Sequence, residues 1–198
     1  MGGAMEDIIA KVLQEAVSVK EDFIEKNISR LIQLAEHVSD AFGNGKKLML
    51  CGNGGSAADA QHLAAEFVNK FQIERPPLPA LALSTDTSII TSVANDYTYE
   101  EVFSKQIRAL GVTGDILLAI STSGKSVNIL SAARTARERG IYTVGFLGGD
   151  GGEMLKLVDL ALVVESYHTP RVQEVHILAG HLLCELVEHI LFRRNSTV

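Results

Sequence analysis

The stretch Lys47-Leu48-Met49-Leu50-Cys51-Gly52-Asn53-Gly54-Gly55-Ser56 decides the fold. Its first half is apolar without polar alternation, the signature of a strand covered on both faces. Its second half is a glycine-rich turn that feeds a helical pattern over residues 56–71. A strand entering a helix through glycines is the repeating unit of parallel sheets. The same rhythm recurs outward. Short apolar runs at Pro79–Leu83, Asp115–Ser121, Tyr142–Leu147 and Leu160–Val164 read as strands. Helical periodicity fills Thr87–Ala94, Tyr99–Leu110, Val127–Arg139 and Arg171–Phe192 between and after them. The pattern predicts an α/β, doubly wound (flavodoxin-like) parallel sheet of about five strands, whose ligands bind at the carboxyl ends of the strands.

Ahead of this core, Met5 to Phe42 is helical in pattern, with a candidate break near Asn27–Ser29 and a stop at Gly43-Asn44-Gly45. A small sheet does not need this arm for cover, so its apolar faces are expected to pack against a partner subunit. The division is therefore a helical oligomerisation arm, 1–43, and an α/β core, 44–198, in one domain. Met1–Ala4 reads as a start-site remnant. The chain has 198 residues, 46% hydrophobic and 21% charged, with a formal charge of −6. Nucleic acid is a poor partner for such a chain, because phosphate backbones need clustered Lys and Arg. No run of about 18 apolar residues suggests a membrane span, no basic-then-apolar start suggests a secretory signal, and Cys51 and Cys184 form no CxxC pair. Those features read as a cytoplasmic protein with two free thiols.

Two loops carry the chemistry. In the first, Asn53, Gly54, Gly55 and Ser56 let the backbone approach a ligand at a helix N-terminus. Gly52, Gly54 and Ala57 satisfy a loose dinucleotide pattern, yet the acidic residue that pattern needs at the end of the next strand is missing; Glu74 precedes that strand. In the second, Ser121-Thr122-Ser123-Gly124-Lys125-Ser126 offers four hydroxyls at a helix start, a neutral phosphate cradle or a capped turn. Ala119 to Ser126 nearly spells the nucleotide P-loop, with Ala119 in place of its first glycine. The Mg²⁺-holding Asp of that fold should end another apolar strand, and Thr143–Leu147 runs instead into Gly148-Gly149-Asp150.

His62 and Glu66, four apart on a helix, share a face as a metal or proton relay requires, although spacing in isolation favours a solvated stripe with Lys70. The last helix supplies Gln173, Glu174, His176, His181, Glu185 and His189, among which pattern does not choose. Asn95-Asp96 fits sugar hydroxyls or a turn.

Taken in order, Cys51–Ser56, Glu74-Arg75-Pro76, Val93-Ala94-Asn95-Asp96, Ser121–Gly124 and Arg171-Val172-Gln173-Glu174-Val175-His176 resemble the phosphoheptose isomerases of the sugar isomerase (SIS) family over nearly the whole chain. The resemblance implies a homotetramer with active sites at subunit interfaces. It also implies isomerisation of sedoheptulose 7-phosphate to D-glycero-D-manno-heptose 7-phosphate. Under it, Asn53–Gly55, Asn95 and Asp96 contact sugar, and Ser121, Thr122, Ser123 and Ser126 hold phosphate. His62, Glu66, Gln173 and His181 fall at the family's zinc positions, with Glu66 and His181 as the acid–base pair. A related class of the same fold is non-enzymatic and binds the replication initiator protein. Gln61-His62-Leu63-Ala64-Ala65 leans toward that class, but it lacks the carboxylate at Glu66 and the imidazole at His181, both present here.

Overall fold

The computed structural model describes residues 2–193; Met1 and residues 194–198, the ends of the two segments delimited above, lie outside them. Five strands form one parallel sheet in the order β2-β1-β3-β4-β5: β1 Leu48–Gly52, β2 Ala80–Ala82, β3 Ile116–Ser121, β4 Tyr142–Gly148 and β5 Leu160–Val164. Each central strand is apolar on both sides because both faces are covered. Leu48, Leu50, Ile116, Leu118, Ile120, Val144 and Phe146 point into one core with helices α1 (Gly2–Gly43), α2 (Gly55–Val68) and α6 (Thr169–Glu188). Met49, Cys51, Leu117, Ala119 and Leu147 point into the other, with α4 (Ser104–Leu110) and α5 (Val127–Glu138). Between β2 and α4 lie α3 (Thr87–Asp96) and a 3₁₀ turn at Tyr99–Glu101, so the helical pattern over Tyr99–Leu110 resolves into two pieces.

The arm is one unbroken helix. Asn27 does not interrupt it, because its Nδ2 donates to the Phe23 carbonyl one turn back, at 2.9 Å, within a buried environment. The helix also divides by function. Leu31, Leu34, Ala35, Val38 and Phe42 are core residues, so its second half does cover the sheet. Met5, Ile8, Ile9 and Leu13 stay more than 60% exposed, so the apolar surface left uncovered lies in the first half, which Arg171 ties to α6 through the Val12 carbonyl.

Residues Thr169–Arg193 are long and apolar enough to cross a membrane by length and composition, which the run-length reading of the sequence did not register. Here they form a core helix and the turn that ends it: Val172, Val175, Ala179, Leu183 and Val187 are buried against the sheet and neighbouring helices. His176 is buried among them, its Nε2 donating to the Leu147 carbonyl at 3.2 Å while Nδ1 has no partner. Burial pushes its pKa down to about 4 from 6.5, with the Leu147 bond opposing. Between those values the unfolded chain binds the proton and the folded chain does not. Stability is therefore whole above pH 6.5 and falls as the pH drops toward 4, by up to about 3 kcal/mol for this group. Denaturant unfolding across that window checks the slope, and His176→Leu should flatten it.

Candidate active site

In the strand order the chain leaves β1 for one neighbour and later returns to its other side as β3, so the switch point lies between β1 and β3. Doubly wound sheets open a crevice there, and both glycine- and serine-rich loops border it. The first enters α2 through Gly54 at φ +55°, a conformation that suits a residue without Cβ. The second turns at Gly124, φ +62°. Its Ser121 Oγ accepts the Gly124 N–H at 3.1 Å and stands 3.4 Å from Ser126 Oγ, and Ser123 Oγ accepts the Lys125 N–H. Ser126 is the N-cap of α5, yet its side chain caps nothing. Hydroxyls and the first amides of α5 thus face the crevice, an arrangement that receives anions. Thr122 sits half-buried in the same loop and Ser56 is buried at the start of α2.

The loops are joined by a pair the sequence did not suggest. Asn53 and Asn128 exchange amide hydrogen bonds at 2.9 and 2.8 Å, and Tyr99 Oη lies 3.3 Å from Asn53 Oδ1. Asn128 is a buried amide in the first turn of α5, a position where composition alone gives no more than a capping signal. Asn95 and Asp96 are exposed at the end of α3 and hydrogen-bonded to each other, 2.8 Å apart. Among the described residues, no side-chain hydrogen bond or ion pair ties them to either loop.

The helix after the first loop and the last helix of the chain then converge. Gln173 of α6 lies over Gly55, where a Cβ would run into its Nε2. Two turns further along α6, His181 meets α2: the Nε2 atoms of His62 and His181 are 2.9 Å apart, and Glu66 Oε1 is 3.6 Å from His62 Nε2. Lys70, the third member of the surface stripe, is not part of this group and pairs with Glu74. Asp59, one turn before His62, is a further carboxylate that sequence reasoning passed over. Burial pushes its pKa up, His62 opposing, and its Oδ2 is buried without a partner. Of the other polar residues on α6, Glu174 pairs with Arg171, and His176 faces the core.

Two imidazole nitrogens and a carboxylate oxygen are the donor chemistry that zinc takes. Their spacing is that of a shared hydrogen bond, since 2.9 Å falls short of the edge of roughly 3.3 Å that tetrahedral Zn–N bonds of ~2.05 Å would impose. Accordingly, no three His, Cys, Asp or Glu side chains among the described residues are set out as they stand to hold an ion. Opening the His62–His181 pair by a few tenths of an ångström would admit a metal between these three side chains. Gln173 stands over Gly55, eight residues and roughly 12 Å of helix rise from His181, so within one chain it is not beside them.

Known proteins share both the sequence and this architecture. The SIS domain family matches residues 12–148. A phosphoheptose isomerase of Nitratidesulfovibrio vulgaris is 54% identical over 185 residues, covering 93% of this chain and 89% of that protein. The solved structure of phosphoheptose isomerase from Neisseria gonorrhoeae is 40% identical with a TM-score of 0.88, over 93% of this chain and 98% of that one. That of a phosphoheptose isomerase from Francisella tularensis is 37% identical with a TM-score of 0.90, again over 93% and 98%. On this sequence, this five-stranded fold and these two loops, the chain is an isomerase and belongs to the phosphoheptose isomerases of the SIS domain family.

Proposed function

We propose that the chain interconverts sedoheptulose 7-phosphate and D-glycero-D-manno-heptose 7-phosphate, supplying heptose for lipopolysaccharide or a similar glycan. The observation that carries the reading is the meeting of His62, Glu66 and His181 on α2 and α6, about two turns along α2 from the first loop. The phosphate sits against Ser121, Thr122, Ser123, Ser126 and the first amides of α5, where hydroxyl and N–H donors neutralise it without a cation. Asn53, Gly54, Gly55, Ser56 and Gln173 line the path of the open-chain sugar toward α2, with Asn95 and Asp96 reaching its hydroxyls.

The reaction moves two protons and no net electrons. A base takes a proton from C1 of the ketose, and its electron pair becomes the C1–C2 double bond as the C2 oxygen gains a proton, giving the cis-enediol. The C1 hydroxyl then loses its proton to become the aldehyde, and C2 takes one from the acid. Glu66 and His181 share these transfers, one at carbon and the other at the oxygens. His62 is the hydrogen-bond neighbour of His181, Nε2 to Nε2, so one of the two rings donates from that nitrogen and the other accepts there. Zinc held by His62, Glu66 and His181 would polarise the carbonyl and lower the cost of charge on its oxygen, while Gln173, two turns back on α6, faces the sugar path at Gly55. The exposed apolar stripe of α1, Ile8, Ile9 and Leu13, is the contact through which copies assemble, as a homotetramer.

Chelation tests the metal. Turnover of sedoheptulose 7-phosphate is expected to fall at least tenfold, a conservative share of a Lewis acid's contribution, and to return on adding zinc. Turnover indifferent to a strong chelator would remove zinc from the site.

A further inference from the structure

We propose that the buried Arg75–Glu188 ion pair, acting with Phe71, is a positioning device that sets Glu66 against His181. The inference rests on the roles given to those two residues above.

When α2 ends at Val68, its last carbonyls lose their helical partners. Arg75 returns from the loop that follows and supplies them. Its Nη2 donates to the Glu66 carbonyl at 2.8 Å and its Nη1 to the Phe67 carbonyl at 2.7 Å. The turn of helix that carries the Glu66 carboxylate is thereby tied to a guanidinium whose side chain is 1% exposed. Arg75 Nε donates to Glu188 Oε1 at 3.0 Å, and the Glu188 side chain is 2% exposed. That carboxylate also accepts the backbone N–H groups of Phe71 and Gln72, each at 3.0 Å. Burial alone would raise the Glu188 pKa, but the two amides and the guanidinium outweigh it and hold the carboxyl charged.

Glu188 therefore pins the segment that presents Phe71, and the Phe71 ring stacks on the His181 imidazole, centroids 5.4 Å apart at 29°. His181 and Glu188 are themselves seven residues apart on α6, two turns along one face. The connections run from the Glu66 carbonyl through Arg75, Glu188 and Phe71 to His181, and His62 closes the ring, 2.9 Å from His181 and 3.6 Å from the Glu66 carboxylate. A buried ion pair is a poor choice for stability alone, since well-packed apolar residues of the same volume usually serve as well or better. What it provides, and apolar packing does not, is directional bonds to the backbone on either side of the catalytic pair.

Two variants, with kcat and KM measured on the full chain, separate positioning from a merely structural role. Phe71→Leu keeps the ion pair and removes the stacked ring. The double variant Arg75→Met/Glu188→Leu replaces the pair by apolar side chains and keeps Phe71. Each is expected to lower kcat at least tenfold, as misplacement of reacting groups by a fraction of an ångström does. KM and the affinity for inorganic phosphate should stay within about twofold, because the Ser121–Ser126 loop is untouched. Phe71→Tyr, which restores the ring, should recover most of kcat. Independently of turnover, the ring resonances of His181 should shift in the double variant. Wild-type kcat in either folded variant, or an unmoved His181 signal in the double variant, overturns the proposal. Glu66→Gln in the same assay keeps the two failures apart: if it turns over normally, the assignment of the catalytic pair has failed rather than its positioning.

Discussion

Glu66→Gln is expected to lower kcat by about a thousandfold, the middle of the range that general acid–base groups contribute, while leaving phosphate affinity and the unfolding midpoint near wild type. Gln is nearly isosteric and as good a helix former as Glu. The bond from Arg75 reaches the backbone carbonyl of residue 66, not its side chain, so it survives the substitution. The carboxylate is partly open to solvent, 23% exposed, and takes part in no buried ion pair whose loss would unsettle the fold. What disappears is the group to which the proposed mechanism gives a proton exchange with the substrate. Steady-state kinetics on sedoheptulose 7-phosphate, with inorganic phosphate as a competing ligand, checks both halves. Normal turnover would remove Glu66 from the chemistry.

Gly124→Ala is expected to fail differently, in binding. Gly124 holds φ +62°, and a Cβ there would collide with the Gly151 carbonyl oxygen in the loop after β4. The obstacle is backbone, not the tip of a side chain that could turn away. Gly124 also accepts the Met154 N–H at 3.2 Å through its own carbonyl, so the serine loop is held between α5 and the second glycine-rich turn. Left-handed strain of roughly 1–2 kcal/mol adds to the displacement of one loop or the other. The consequence should be a tenfold or greater rise in KM and in the dissociation constant for phosphate, together with a lower unfolding midpoint. Normal phosphate binding by the Gly124→Ala protein would show that the Ser121–Ser126 loop is not the cradle.

Much of this molecule is legible in its sequence, and the parts that are not have a common cause. Strands β1, β3 and β4 stand out because burial on both faces leaves them apolar without alternation. The two glycine- and serine-rich loops stand out because glycine marks the turns that a Cβ would obstruct. The unbroken course of α1 past Asn27 was not legible, since a mid-helix asparagine is tolerated only once its amide bonds the Phe23 carbonyl in a closed environment. Nor could spacing choose among the polar residues of α6. His181 is singled out by His62, 119 residues earlier, and Glu188 by Arg75, 113 residues earlier. His176, which spacing alone left as a ligand candidate, is a buried neutral imidazole bonded to the Leu147 carbonyl. Asn128 acquires meaning only when topology brings α5 beside the first loop. Local pattern reports which segments approach a ligand. Which side chains complete the site is set by pairings across the chain.

The central claim, proton transfer at carbon on a seven-carbon ketose phosphate, is tested most directly by incubating the zinc-supplied protein with sedoheptulose 7-phosphate in deuterium oxide and following the sugar by NMR. The expected result is an aldose 7-phosphate carrying solvent deuterium at C2, with deuterium also entering C1 of the ketose that remains. A ketose recovered unchanged and without deuterium, from protein that is folded and binds phosphate, would contradict the account.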